Sequence, residues 1–525
     1  MSNSRKTYIT AASTIGALIL MSILGPAQAG PLADPPAVQG PEQVEDWWNA
    51  GQAFIDDSKK LRAYDGRAKN VILFVGDGMG VSTITAARIL EGQLHGAPGE
   101  ENRLFFERFP YLALSKTYSW DQQTSDSAST MTAMVTGYKT REGMLSVDHT
   151  AARGECDAAI IAAKSLPTIL EQAAAAGKAT GVISTARITH ATPAATYAHT
   201  AARDWEVDAK RPSGCGVKDI AQQLIELSPA VKKSLKVALG GGRENFLPRE
   251  HTDQEYANKK GARLDGRDLT QEWLATRDAI APSAQYVWNK AGFDAVDPAG
   301  TPFLLGLFEP SHLRYEADRA KDAAGEPSLT EMTAKALAML KQNRKGYFLH
   351  VEAGRIDHAH HAGNAKRALL DTIELAKAVK TAYEMTDPKD TLIIVTADHS
   401  HVFTIAGYPH RGNSILGLVK SVPEVDGMPT AADKDAQQLP YTTLSYANGP
   451  GARKAANNGG KRPDLTEVDT EELDYRQEAI VELEAETHGG EDVAIYASGP
   501  KAHLVHGSME QNWIYHVMRE ALGFK

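Results

Sequence analysis

Short apolar runs, Val71–Val75, Gly181–Ile183, Lys236–Leu239, Tyr347–Val351, Thr391–Val395 and Asp492–Tyr496, recur along this chain with helix-like stretches between them. A continuous apolar run suits a strand buried on both faces, whereas a strand wetted on one face alternates. The pattern therefore predicts an α/β fold, a three-layer sandwich around a large, mostly parallel sheet. Between Asn364 and Tyr383, residues Ala365, Leu369, Ile373, Ala376 and Val379 share one helical face, with Lys366, Arg367, Lys377 and Lys380 elsewhere. The stretch 405–486 breaks the rhythm. Ser421–Gln438 and Pro450–Tyr475 are rich in Pro, Gly, Asn and charge, so it reads as a surface insertion between two core strands.

At 525 residues, 42% hydrophobic and 23% charged, the chain can build one large domain with insertions. Residues 1–29 read as an export signal, with Arg5 and Lys6, an apolar run from Ile9 to Leu24, and Ala27-Gln28-Ala29 as the cleavage site. The expected location is the periplasm or the outside of the cell. Residues 30–62, with Trp47, Trp48 and Phe54, form an N-terminal arm expected to pack on a neighbour, and 63–525 form the main domain. No later segment is apolar enough to span a membrane. The leader carries +2, so its removal takes the formal charge from −10 to −12, which argues against a nucleic-acid-binding surface. Cys156 and Cys215 are the only cysteines. In an exported protein such a pair favours one disulfide over a thiolate metal site, with two buried thiols as the alternative.

The apolar runs end in chemistry. Tyr347–Val351 leads into Glu352, and Asp357 and His361 follow four residues apart, so a helix after Arg355 would point both the same way. Val71–Val75 stops at Gly76-Asp77-Gly78-Met79-Gly80, Thr391–Val395 delivers Asp398 and His399, and His488 precedes the run from Asp492. Ligands of open α/β sheets bind beyond the carboxyl ends of the strands. Asp77, Glu352, Asp357, His361, Asp398, His399 and His488 are therefore candidates for one shared site. Four carboxylates and three imidazoles exceed the needs of one ion and suit two or three neighbouring cations. Asp126-Ser127-Ala128 adds a hydroxyl at the start of a helix-forming stretch, Ala128–Val135, where free amides favour an anion. Read alone this serine is a common N-cap. Beside a cation it is a candidate nucleophile.

These segments resemble the alkaline phosphatase family, and its animal-type branch in particular. The likeness rests on Lys139-Thr140, His190-Ala-Thr192-Pro193, Thr396-Ala-Asp-His-Ser-His401, Tyr446-Ala-Asn-Gly-Pro450, Glu486-Thr-His-Gly-Gly-Glu-Asp492 and Ala502-His-Leu-Val-His-Gly507. The resemblance implies hydrolysis of phosphate monoesters through a phosphoserine on Ser127. It places Asp357, His361 and His488 at a first zinc, Asp77, Asp398, His399 and Ser127 at a second, and Asp77, Thr192 and Glu352 at magnesium. Arg203 matches the arginine that grips the phosphate, with His190 beside the magnesium and His358 and His360 beside the first zinc as neighbours. The family pattern further implies a two-fold dimer and a calcium site near Glu255, Glu309 and Glu326, the last in place of an aspartate.

Overall fold

The computed structural model describes residues 43–423, 431–452 and 462–524. The export signal lies outside the described residues. The strands are β1 (Asn70–Gly76), β2 (Tyr111–Lys116), β3 (Ala179–Arg187), β4 (Leu235–Gly241), β5 (Gln285–Val287), β6 (Leu304–Leu307), β7 (Tyr347–Ala353) and β8 (Thr391–Ala397). There follow β9 (Ser400–His401), β10 (Phe403–Ile405), β11 (Leu444–Gly449), β12 (Ala479–Glu482), β13 (His488–Gly489), β14 (Val493–Ser498) and β15 (Gly507–Glu510). Ten of them form one sheet in the order β15-β2-β14-β8-β1-β7-β3-β4-β6-β5. Within it only β14 opposes its neighbours, pairing antiparallel with both β2 and β8. All six predicted runs are strands of this sheet.

Period-two alternation sorts the side chains of β1 to two faces. Ile72 and Phe74 enter one core, with residues of the helices Val81–Leu94, Leu329–Leu340 and Ala365–Glu384. Val71, Leu73 and Val75 enter the other, with residues of the helices Ser127–Thr136, Ile169–Ala175, Leu269–Asp278 and Trp513–Leu522. This is the expected three-layer sandwich. Complete burial of each such side chain is worth about 1.5–3 kcal/mol, and it favours the register that keeps both faces covered. The predicted helix at 364–383 is Ala365–Glu384, begun by the Asn364 side chain, which accepts from Arg367 N–H. The insertion carries its own small sheet, β10-β11-β12, and lies between β8 and β14, adjacent strands of the main sheet.

Cys156 and Cys215 form a disulfide. They pack on a small separate core of Met144, Val147, Ala151, Ile161, Ala201, Ala202, Trp205 and Val217, which therefore supports the segment carrying Arg203. A loop with 59 residues of separation gains about 4 kcal/mol from cross-linking in the chain-entropy model. Replacing both cysteines by serine is expected to lower the denaturation free energy by roughly that amount. Urea unfolding followed by fluorescence measures it, and an unchanged midpoint would show that the bridge adds nothing.

Candidate active site and metal centre

The sheet's register does the first part of the assembly. β1 lies between β7 and β8, with Gly76 opposite both Ala353 and Ala397. Asp77 and Asp398 therefore emerge at one level from adjacent strands, which are about 4.8 Å apart. Glu352, level with Val75 of β1 and Ser184 of β3, stands just below them. The turn after β1 needs glycine. Gly78 has φ +69°, and a Cβ there would sit 2.3 Å from His401 Nε2.

After β7 the chain coils into the helix Arg355–His361, which brings Asp357 and His361 onto one face as their spacing predicts. β14 opposes β8, so its leading end, with His488 five residues earlier, reaches the same edge as the carboxyl ends of the parallel strands. There His361 Nε2 stands 3.2 Å from Asp357 Oδ1, His488 Nε2 stands 3.4 Å from that oxygen, and the two imidazole nitrogens are 3.2 Å apart. Three ligand atoms on a tetrahedral ion with bonds of ~2.0–2.1 Å lie about 3.3 Å from one another. The triangle has the size such an ion requires.

A second set adjoins it. His399 Nε2 is 3.3 Å from Asp77 Oδ1, 3.5 Å from Asp398 Oδ2 and 3.2 Å from Ser127 Oγ. Asp398 Oδ1 is already engaged by the N–H groups of Gly78 and His399, while Oδ2 is buried with no hydrogen-bond partner. That orphan oxygen faces the set. Asp77 Oδ2 turns to a third group, 3.5 Å from Thr192 Oγ1. Glu352 accepts from the Ser184 hydroxyl through Oε2 and leaves Oε1 buried and unpartnered. Orphaned buried oxygens cost stability unless something pairs with them. Nearly all-oxygen surroundings suit a hard cation.

Charge in the site is unbalanced without cations. Burial, and then Asp398 and Asp357, hold the Asp77 carboxyl well above its ordinary range, and burial raises Glu352 to about 7. Burial opposes a charge on His399, but Asp398 and Asp77 overcome it and lift the imidazole to about 10. Cations on these ligands would reverse both tendencies, since a metal ligand must shed its proton.

Ser127 is the first residue of a ten-residue helix, and Asp126 caps it by accepting from Ala128 N–H. Asp126 also pairs with Arg203 Nη1, while Arg203 Nη2 meets His190 Nε2 at 2.9 Å. The guanidinium plane is thus fixed beside the serine. A cleft of about 320 Å³, lined by Gln122, Thr124, Ser125, Asp126, Thr487 and His488, opens at this point. His360 spends neither ring nitrogen on the site, contacting Thr83 Oγ1 and the Tyr446 hydroxyl. His358 packs on His312, with ring centroids 4.0 Å apart.

The structure thus gathers every candidate of the three sets, with Arg203 alongside. It adds two residues that sequence reasoning did not select. His401 Nε2 lies 2.9 Å from Asp357 Oδ1 and His401 Nδ1 lies 2.6 Å from Glu486 Oε2, so this imidazole orients a carboxylate of the first set. Its position in Thr396-Ala-Asp-His-Ser-His401, two residues beyond His399, was the available signal.

Comparison with known proteins identifies the family. The alkaline phosphatase family model matches residues 68–524. The chain is 45% identical over 491 residues to a tissue-nonspecific alkaline phosphatase from Gallus gallus, covering 92% of this chain and 90% of that one. It is 43% identical to an alkaline phosphatase from Gadus morhua, covering 92% of this chain and 98% of the relative. Among solved structures, the alkaline phosphatase of Thermus thermophilus superposes with a TM-score of 0.60 at 24% identity, over 88% of this chain and 93% of that one, a likeness of fold. The chain belongs to the alkaline phosphatase family, and is a metal-dependent phosphoric monoester hydrolase.

Proposed function

We propose that this chain is an exported enzyme that releases inorganic phosphate from phosphate monoesters through a phosphoserine on Ser127, at a site of two zinc ions and one magnesium ion. Asp357, His361 and His488 would hold one zinc, Asp77, Asp398, His399 and Ser127 the other, and Asp77, Thr192 and Glu352 the magnesium. These ions supply Lewis acidity at the attacking and departing oxygens and balance the charge of four buried carboxylates. Ser127 Oγ attacks phosphorus in line, the ester oxygen leaves as the alcohol, and water then cleaves the phosphoserine to restore the hydroxyl. Arg203, its plane held by Asp126 and His190, takes two phosphate oxygens on its fork. Every group named here reads the phosphate and none of them reads the alcohol.

The observation that carries this reading is that Ser127 Oγ stands 3.2 Å from His399 Nε2 and 3.5 Å from Asp77 Oδ1, a separation that suits ligands of one ion. Elemental analysis of purified protein, with phosphate release from a monoester, a diester and a sulfate ester, tests it. The expected result is zinc and magnesium near two and one per chain, with the monoester fastest. A faster diester or sulfate ester, or full turnover after chelation, would overturn it.

A calcium ion near Glu255, Glu309 and Glu326 belongs to the same proposal. Asp322 joins them as a fourth carboxylate, hydrogen-bonded to the Tyr256 hydroxyl at 3.3 Å. Glu255 Oε1, Asp322 Oδ2 and Glu326 Oε2 are all buried without partners, and burial raises Glu326 to about 9. A two-fold dimer is supported by the helix Val44–Lys60, on which Trp47, Trp48, Phe54 and Ile55 are all exposed. Among the described residues no helix is long and apolar enough to cross a membrane.

A further inference from the structure

Two loops meet beside Ser127, one lining the cleft and the other bonded to the backbone of Arg203. The segment 117–125 follows β2 and supplies Gln122, Thr124 and Ser125 to the cleft lining. The segment 137–155 supplies Gly143, whose carbonyl accepts Arg203 N–H at 2.7 Å. The loops are tied together: Trp120 N–H donates to Thr140 O at 3.1 Å, and Glu142 N–H to Asp121 Oδ1 at 2.9 Å.

Trp120, two residues before the cleft-lining Gln122, is 49% exposed. The Arg141 guanidinium lies 4.2 Å from its ring centroid, and His149 stacks on it at 5.1 Å with the planes 20° apart. Arg141 Nε donates to His149 O at 2.7 Å. Three neighbouring cations are neutralised: Lys139 pairs with Glu510, Arg153 with Glu142 and Arg203 with Asp126. Arg141 Nη1 and Nη2 have no acidic partner among the described residues. An unpaired surface arginine ordinarily samples many rotamers, and ordering it opposes binding. Here the indole and the His149 carbonyl have already ordered it, leaving the outer edge of the fork open to a carboxylate or phosphate.

We propose that Arg141, held on Trp120, is a subsite for a second anionic group carried by the substrate's leaving alcohol. The preferred substrates are then monoesters whose alcohol bears a carboxylate or another phosphate. This deepens the proposed function and rests on it. The guanidinium touches only the remote anion and binds ground state and transition state equally, so its effect falls on KM and, through it, on kcat/KM. Trp120 is a positioning residue.

The test compares two substrates alike except for the second charge, 3-phosphoglycerate and glycerol 3-phosphate. In Arg141→Gln the ratio of kcat/KM for the first to that for the second is expected to fall about tenfold, the low end for one hydrogen bond to a charged group, with the loss in KM. Trp120→Ala should lower the ratio several-fold and Trp120→Phe restore most of it. The comparison variant is Lys389→Gln, an exposed lysine before the amino end of β8, at the opposite edge of the sheet; it should leave the ratio where it stood. An unchanged ratio in Arg141→Gln, or an equal fall in Lys389→Gln from a general field effect, overturns the subsite. Absence of turnover on both substrates in the unaltered enzyme would instead overturn the proposed function.

Discussion

Ser127→Ala is expected to lower kcat for an aryl phosphate by roughly 10³-fold while the protein stays folded and retains its metal. The substitution removes one hydroxyl from the first turn of a helix whose capping hydrogen bond comes from Asp126, so stability should change little. The rate should not fall to that of the uncatalysed reaction. Arg203 and the remaining ligands still position the phosphate, and water can attack it directly, so the loss stays below the ~10⁶ measured when a hydrolase nucleophile is removed. Rapid-quench kinetics separates the cases. The unaltered enzyme should give a burst of alcohol and a labelled serine after acid quench, and the alanine variant neither. A label on any residue other than Ser127, or a kcat within tenfold of normal, would refute the assignment.

The parts of this site that could be read from sequence are those fixed by local geometry. Glu352 directly ends an apolar run, and Asp357 and His361 lie one helical turn apart, so propensity and periodicity sufficed. Asp77 and Asp398 could be placed at strand ends. Their adjacency depends on β8, β1 and β7 lying side by side, which the strand-end rule supports without giving the order. The contact of His401 with Glu486 spans 85 positions and depends on the pairing of β9 with β13, two strands of two residues each. Nothing local marks it. The expected sheet also lacked β2, β5, β6 and β15. On β2, Tyr111-Leu-Ala-Leu114 is apolar throughout, but Leu112 and Leu114 are 55% and 40% exposed, so burial alternates where the sequence does not. β5 and β6 have three and four residues, too few to show a period. Asp322 lies in a loop whose chemistry appears only when Tyr256 and Glu309 arrive from distant segments.

Stripping the metals should abolish turnover and destabilise the fold, and the second effect should grow with pH. Each site held at a thousand times its dissociation constant contributes about 4 kcal/mol to the folded state. A chain of this length shifts by about 1 °C per kcal/mol, from an unfolding entropy of ~2.1 cal/mol/K per residue. Two tightly held ions therefore correspond to a fall in Tm of roughly 8 °C. The pH dependence follows from the carboxyls. Glu352 is raised to about 7, chiefly by burial and also by Asp398, and Glu486 to about 8, chiefly by burial. A carboxyl whose folded pKa exceeds its unfolded value favours folding while it is protonated. That contribution is complete below the ordinary carboxyl range and is lost as pH rises through 7 and 8, so the stripped protein weakens between about pH 5 and 9. With the ion on Glu352 as proposed, it takes the place of the proton and protects the loaded protein there, so the gap in Tm between loaded and stripped protein should widen from pH 6 to pH 9. Adding calcium alone to stripped protein should recover part of the gap without restoring turnover, because Glu255, Glu309, Asp322 and Glu326 stand apart from the catalytic carboxylates. Zinc with magnesium should restore both. Calorimetry beside phosphate release gives the two readouts, and a gap that narrows with pH, or turnover that survives stripping, would show that these carboxylates are not metal ligands.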